Sequence, residues 1–201
     1  TESAAAKPPL ITPTFVLAWV ANFCQFLVFY LSVTTMALYA VESFGASDTV
    51  GGFASSAFVL GATCMRVFSG WIVDRVGHKK AALTSLVFVT VVAVAYFFAH
   101  NVAVLIIVRM VHGAGYALTS TALMAVAQSV IPHERRAEGT GYFALGTTLA
   151  TAFGPAIGLF LANNIGYTTL FAVALGANIV SLILALVLRY PAEVSSEKPA
   201  F

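Results

Sequence analysis

Apolar residues run along this chain in unbroken stretches of about 20 or more, separated by short polar intervals. A helix that crosses a bilayer needs about 20 mostly apolar residues. Run length and helix breakers together predict six such spans. The first covers about residues 13–40, with Pro13 acceptable in a first turn. The second covers about 48–74, with Asp48 as a candidate cap. The third is about 79–99, and the fourth is about 102–130, after the candidate cap Asn101. The fifth follows Pro132 and reaches about 163; the sixth is about 167–189. The expected fold is therefore an all-α integral membrane protein. A six-helix bundle over residues 13–190 would sit between a tail of residues 1–12 and a polar stretch, residues 191–201, that reads as a second tail or the start of a linker.

Composition excludes the water-soluble alternative. The 201 residues are 60% hydrophobic and 9% charged, with a mean hydropathy of +0.92. A soluble domain carries about 25% charged residues, so this chain could not cover its surface in water. No basic tract interleaved with aromatics points to nucleic acid, and no metal-ligand motif or cofactor signature is present. Cys24 and Cys64 both fall inside apolar runs, where packing is the expected role. The first run is much longer than the apolar region of a cleavable signal.

The placement of charge carries more than its net value of +2. Lys7, Arg75, Lys79, Lys80, Arg135, Arg136, Arg189 and Lys198 all fall in the tails or in the loops on one side. The opposite loops hold Glu42, His100, Asn101, Asn163 and Asn164 and contain no Lys or Arg. By the positive-inside rule both termini are expected in the cytoplasm. Sliding the chain by 89 positions lays Val73–Gly77 on Ala162–Gly166, with only the glycine identical. The second and third spans then correspond to the fifth and sixth in opposite orientation, the arrangement of two inverted three-helix repeats.

Between the second and third spans stands the string G-W-I-V-D-R-V-G-H-K-K, Gly70–Lys80. Gly77 permits a tight turn, and Gly70 lies one helical turn before Asp74, where a small residue lets another backbone approach. The pattern resembles the loop 2–3 signature of the major facilitator superfamily of secondary transporters, with His78 at a position often basic there. The resemblance implies that Gly70, Asp74, Arg75, Gly77, Lys79 and Lys80 form a conformational latch against a second six-helix half. Asp74 would face a helix N-terminus of that half, and Arg75 would pair with Glu134 or Glu138.

Two further stretches are similar to signatures of the same superfamily. L-I-I-V-R-M-V-H-G-A-G-Y-A, Leu105–Ala117, resembles its helix 4 signature, with His112 where Gln is common. Arg109 lies about two turns inside the span, where a charge costs about 2.5–3.5 kcal/mol on insertion scales and normally faces a cavity or a partner. Arg109, His112, Tyr116 and Ser120 share one helical face. A-T-A-F-G-P-A-I-G-L, Ala150–Leu159, resembles the helix 5 signature of antiporters and exporters through Gly154, Pro155 and Gly158. Pro155 removes a backbone hydrogen bond and bends the helix. Ala150 and Leu159 replace the family's flanking glycines.

Asn22, Gln25, Ser32 and Thr35 form an approximate polar face of the first span, and Thr147, Thr148 and Thr151 cluster in the fifth. They suggest that these helices line the cavity, and Asn22, Gln25, Arg66, Arg109, His112 and Tyr116 are the candidate cavity, substrate or coupling residues. The third span and most of the sixth are nearly bare of polar groups, as lipid-facing helices should be. No Asp or Glu lies deep in a span, so a coupling carboxylate would have to come from elsewhere, or His112 would titrate in its place.

The resemblance implies one half of a major facilitator fold in a cell membrane, the inner membrane if bacterial. The chain is expected to be the amino-terminal half of a protein about twice as long, or a half that assembles with a second copy of itself. The leading function is proton-coupled efflux of small amphipathic compounds by alternating access. An uptake carrier or uniporter for a polar nutrient and a non-transporting six-helix scaffold are the alternatives. An intramembrane hydrolase using Ser69 and His112 has no supporting motif.

Overall fold

A computed structural model describes residues 8–190. Lys7, Lys198 and the 191–201 stretch lie outside the described residues. Six α-helices follow one another: α1 (Pro13–Phe44), α2 (Asp48–Val76), α3 (His78–Ala95), α4 (Val102–Val130), α5 (Arg136–Asn164) and α6 (Tyr167–Val187). One 3-10 turn, Tyr96–Phe98, extends α3, and a second, His133–Arg135, precedes α5. Each of the six is long and apolar enough to cross a membrane.

The helix ends follow from local chemistry. Thr12 caps α1 by accepting from the Phe15 amide at 3.2 Å, and Gly45 closes it in the left-handed region at φ 63°. Ser47 rather than Asp48 caps α2; its hydroxyl accepts from Val50 N at 3.4 Å, and Asp48 becomes the first helical residue. Asp48 still contributes there, as an acid in the first turn of a helix. Asn101 caps α4 as its sequence position predicts, accepting from Val104 N at 2.9 Å. Pro132 does not open α5 directly, because the 3-10 turn intervenes.

Pro13 and Val102, Asp48 and Arg136, and His78 and Tyr167 begin corresponding helices, at offsets of 89, 88 and 89 positions. The packing repeats in the same way. The two most extensive helix contacts are α2 against α4 and α1 against α5, which exchange under that offset. The contacts of α3 with α4 and of α6 with α1 form a second such pair. Glycines set both major contacts. A Cβ on Gly61 would lie 1.9 Å from Met110 O, and one on Gly113 would lie 1.9 Å from Phe58 O. Across the other pair, a Cβ on Gly158 would lie 2.4 Å from Leu31 O. These interfaces close backbone to backbone, which membrane helices need because lipid is as apolar as any side chain.

Large apolar side chains remain outside, among them Phe68 and Trp71 on α2, Phe153 and Phe160 on α5, and Leu186 and Val187 on α6. A soluble domain would bury such a belt. In a bilayer it meets lipid or another bundle.

Candidate functional site

The Gly70–Lys80 turn is built as its sequence suggests. α2 ends when the Gly77 amide bonds Val73 O at 2.9 Å, and Gly77 then takes φ 93° and ψ 146° so that α3 can start at His78. Asp74, Arg75, Lys79 and Lys80 are exposed around it. A Cβ on Gly70 would meet no atom within 4 Å, so this face of α2 is open in the bundle.

Among the described residues, Arg75 has no acid within ion-pair distance. Its guanidinium carbon lies 5.2 Å from the centroid of the Trp71 ring on its own helix. Glu138 is held by Arg135 in a two-pronged contact, with Nη2 and Nε at 2.7 and 2.9 Å from the two carboxylate oxygens. Arg135 Nη1 also donates to Pro8 O at 2.9 Å, tying the turn before α5 to the chain ahead of α1. Glu134 is exposed in the adjoining 3-10 turn. Among the described residues, no ion pair joins Arg75 to either acid.

Inside the bundle, the α4 face of Arg109, His112, Tyr116 and Ser120 is buried as a unit. Arg109 is 0% exposed and turns toward α2. Its Nη2 donates to Ser55 O at 2.8 Å, its Nε donates to Ala54 O at 3.3 Å, and its guanidinium carbon sits 4.9 Å from the Phe58 ring centroid. The charge is thus spread over two helix carbonyls and an aromatic face. His112 Nδ1 lies 3.1 Å from the Tyr96 hydroxyl. Ser32, Tyr96 and His112 border a small cavity with room for about one water molecule.

Tyr116 stacks among Phe26, Phe29 and Phe58. Arg66, exposed on α2, lies within electrostatic reach of its hydroxyl. Of these two arginines inside the spans, Arg66 is exposed on the surface of the bundle, whereas Arg109 is enclosed by it.

The polar face of α1 turns inward. Asn22 is 3% exposed and Gln25 is 1% exposed. Gln25 Nε2 donates to Asn178 Oδ1 of α6 at 2.9 Å. Ser32 and Thr35 bond to their own helix, at Val28 O and Leu31 O. On α6, Asn178 and Ser181 are both fully buried, and Ser181 donates to Ala21 O at 2.9 Å. The sixth helix therefore presents a polar contact to α1, not only apolar surface to lipid. Sequence reading passed over this pair, although two polar residues three apart in an otherwise apolar span mark a buried face. Tyr96 was missed as well, since a tyrosine near a span end reads as an interface anchor.

In α5, Gly154 and Gly158 face α1, where a Cβ on Gly154 would lie 2.5 Å from the Tyr30 Cβ. Pro155 stands between them inside a helix that continues to Asn164. Thr148 and Thr151 are exposed on the outer side of the same helix.

Six helices long and apolar enough to cross a membrane, seated on one another through glycines, define a multi-pass membrane protein. Residues 18–201 match the family model of the Major Facilitator Superfamily, and the chain belongs to that family. It is 30% identical over 161 residues to the multi-drug resistance efflux pump PmrA of Streptococcus pneumoniae, covering 77% of this chain and 39% of that protein. It is 31% identical over 133 residues to the staphylopine export protein of Staphylococcus aureus, covering 65% of this chain and 32% of that one. The chain thus spans about two fifths or less of the length of these relatives. A crystal structure of a peptide transporter, POT, superposes with a TM-score of 0.79 at 15% identity, over 86% of this chain and 37% of that one. At that identity the likeness concerns the fold.

Proposed function

We propose that this chain is the amino-terminal half-bundle of a secondary transporter that exports small amphipathic compounds, driven by a proton gradient through alternating access. The observation that carries the direction is the α5–α1 contact. Gly154 and Gly158 seat α5 on the backbone of α1 at Tyr30 and Leu31, with Pro155 between them, in the pattern shared with antiporters and exporters. The relatives named for export support the same direction.

The second six-helix half, from the same gene product or from a second copy, would dock on the open face of α2 at Gly70. Asp74, Arg75, Lys79 and Lys80 would latch it at the cytoplasmic surface of the cell membrane, with both termini on that side. Arg75 would then exchange the Trp71 ring for an acid, and Arg66 with Tyr116 would border the path. Arg109 and His112 would act from behind that wall.

The test is transport by the complete reading frame in inverted membrane vesicles suspended in a medium that contains an amphipathic fluorescent cation. Energisation should drive uptake into the vesicles, and a protonophore should abolish it. Flux in the opposite sense, or flux indifferent to the protonophore, overturns the proposal.

A further inference from the structure

Beside the charged turn, a groove of about 670 Å³ opens between the start of α3 and the end of α6. Val76, Val126, Leu188 and Tyr190 give it apolar surface, and His78, Lys79, Lys80 and Arg189 give it charge. Among the described residues, no carboxylate lines it. A volume of this size is in the range of small-ligand sites, about 300–1,000 Å³.

An aromatic contact and two hydrogen bonds shape the wall that carries these cations. Lys79 Nζ lies 5.8 Å from the centroid of the Tyr190 ring. The Tyr190 hydroxyl donates to Ala185 O at 3.0 Å, and Thr14 Oγ1 donates to Arg189 O at 3.2 Å, which fixes the chain where it leaves α6. Burial pushes the Tyr190 phenol up to about 12, so it stays a neutral donor across the physiological range. The first turn of α3 has no side-chain cap, and that adds partial positive charge to the same wall.

A site with clustered cations, an apolar floor and no acid among the described residues selects a ligand that is anionic at one end and greasy at the other. With α3 and α6 spanning a bilayer, the groove between the start of one and the end of the other would open at headgroup depth. We infer that it binds the phosphate of an anionic phospholipid headgroup, with Lys79, Lys80 and Arg189 as the phosphate ligands and the acyl chains lying along the exposed apolar sides of α3 and α6. Basic pockets between membrane helices at this depth suit such headgroups. The inference rests on the membrane-embedded fold and holds whichever way the transporter runs.

The purified protein is titrated in detergent with phosphatidylglycerol and with phosphatidylcholine of the same acyl chains, and bound lipid is counted by native mass spectrometry. Phosphatidylglycerol should bind at least about fivefold more tightly, the factor expected for one engaged cation. Lys79→Gln with Arg189→Gln should bring the two lipids to about equal affinity. Arg75→Gln with Arg136→Gln removes the same charge outside the groove and should keep the preference. Equal binding of the two lipids by the unaltered protein overturns the inference without any variant having to fold. An equal loss in the charge-matched control also overturns it, since the attraction would then be diffuse. So does displacement of phosphatidylglycerol by millimolar inorganic phosphate, which would assign the groove to free phosphate. A preference that emerges only after Glu193→Gln with Glu197→Gln would give the groove to the chain's own tail.

Discussion

Gly77 and Gly166, 89 positions apart, close corresponding turns with nearly the same backbone: φ 93°, ψ 146° and φ 115°, ψ 161°. Three helices lie between them, so the two turns sit on opposite sides of the membrane. The inverted repeat is therefore present in conformation where the sequence retains one identical glycine. Both residues occupy a region of backbone space that is essentially closed to side chains.

Alanine at either glycine should therefore destabilise the bundle by about 1–3 kcal/mol. Asparagine should not rescue it, because asparagine tolerates the left-handed helical region and not ψ near these values. Thermal unfolding of the purified variants in detergent checks this. A Gly166→Ala protein that melts with the parent would show that the turn relaxes freely.

Glycines in the helices divide into two classes with opposite expectations. At Gly113 a Cβ would drive into Phe58 O at 1.9 Å, so Gly113→Ala must push α4 away from α2. A loss of about 1–3 kcal/mol is expected, as for overpacking elsewhere. Gly70→Ala meets nothing within 4 Å and should leave the melting temperature of this chain unchanged. Under the proposed docking, the same Gly70→Ala change should slow transport by the complete protein. Finding both variants equally destabilised would remove the distinction.

Much of this was legible in the sequence, for identifiable reasons. Six spans and their breaks follow from run length, because lipid leaves the backbone no alternative to closed helices. The turn at Gly70–Lys80 was readable because a charged cluster between apolar runs has few possible homes. What the pattern could not assign was the direction of polar faces. In a soluble helix the polar face points to water, but in a membrane bundle it points either to a solute path or to the bundle axis. Asn22 and Gln25 were expected along a path; both are buried within this bundle, and Gln25 bonds Asn178 of α6. Arg109 was expected in a cavity, and its carbonyl partners Ala54 and Ser55 carry no sequence signal at all. Arg75 could be paired with Glu138 only by analogy, and local geometry gives that acid to Arg135, three residues away.

The enclosure of Arg109 makes an asymmetric prediction. Lysine keeps the charge but has neither the planar face for Phe58 nor the fork for two carbonyls. Methionine fills similar space without any charge to desolvate, and such replacements of buried charge are often neutral. Arg109→Met should therefore melt closer to the parent than Arg109→Lys. The reverse order would mean that the positive charge itself holds α2 to α4.

Gln25 and Asn178 give the most direct measure of what the α1–α6 contact contributes. The two amides meet at 2.9 Å with both side chains buried, and Asn178 Nδ2 has no partner among the described residues. Gln25→Leu leaves Asn178 with its carbonyl oxygen unmatched as well, whereas Gln25→Leu with Asn178→Leu removes both polar groups together. The double variant should accordingly be more stable than the sum of the two single losses predicts. Interhelical hydrogen bonds in membrane proteins couple by about 0.6 kcal/mol on average and up to about 1.7. A full cycle of unfolding measurements in detergent should return a coupling in that range. A coupling of zero would mean that each amide finds an equal partner once the other is gone, and that glycine-seated packing alone fixes the position of α6.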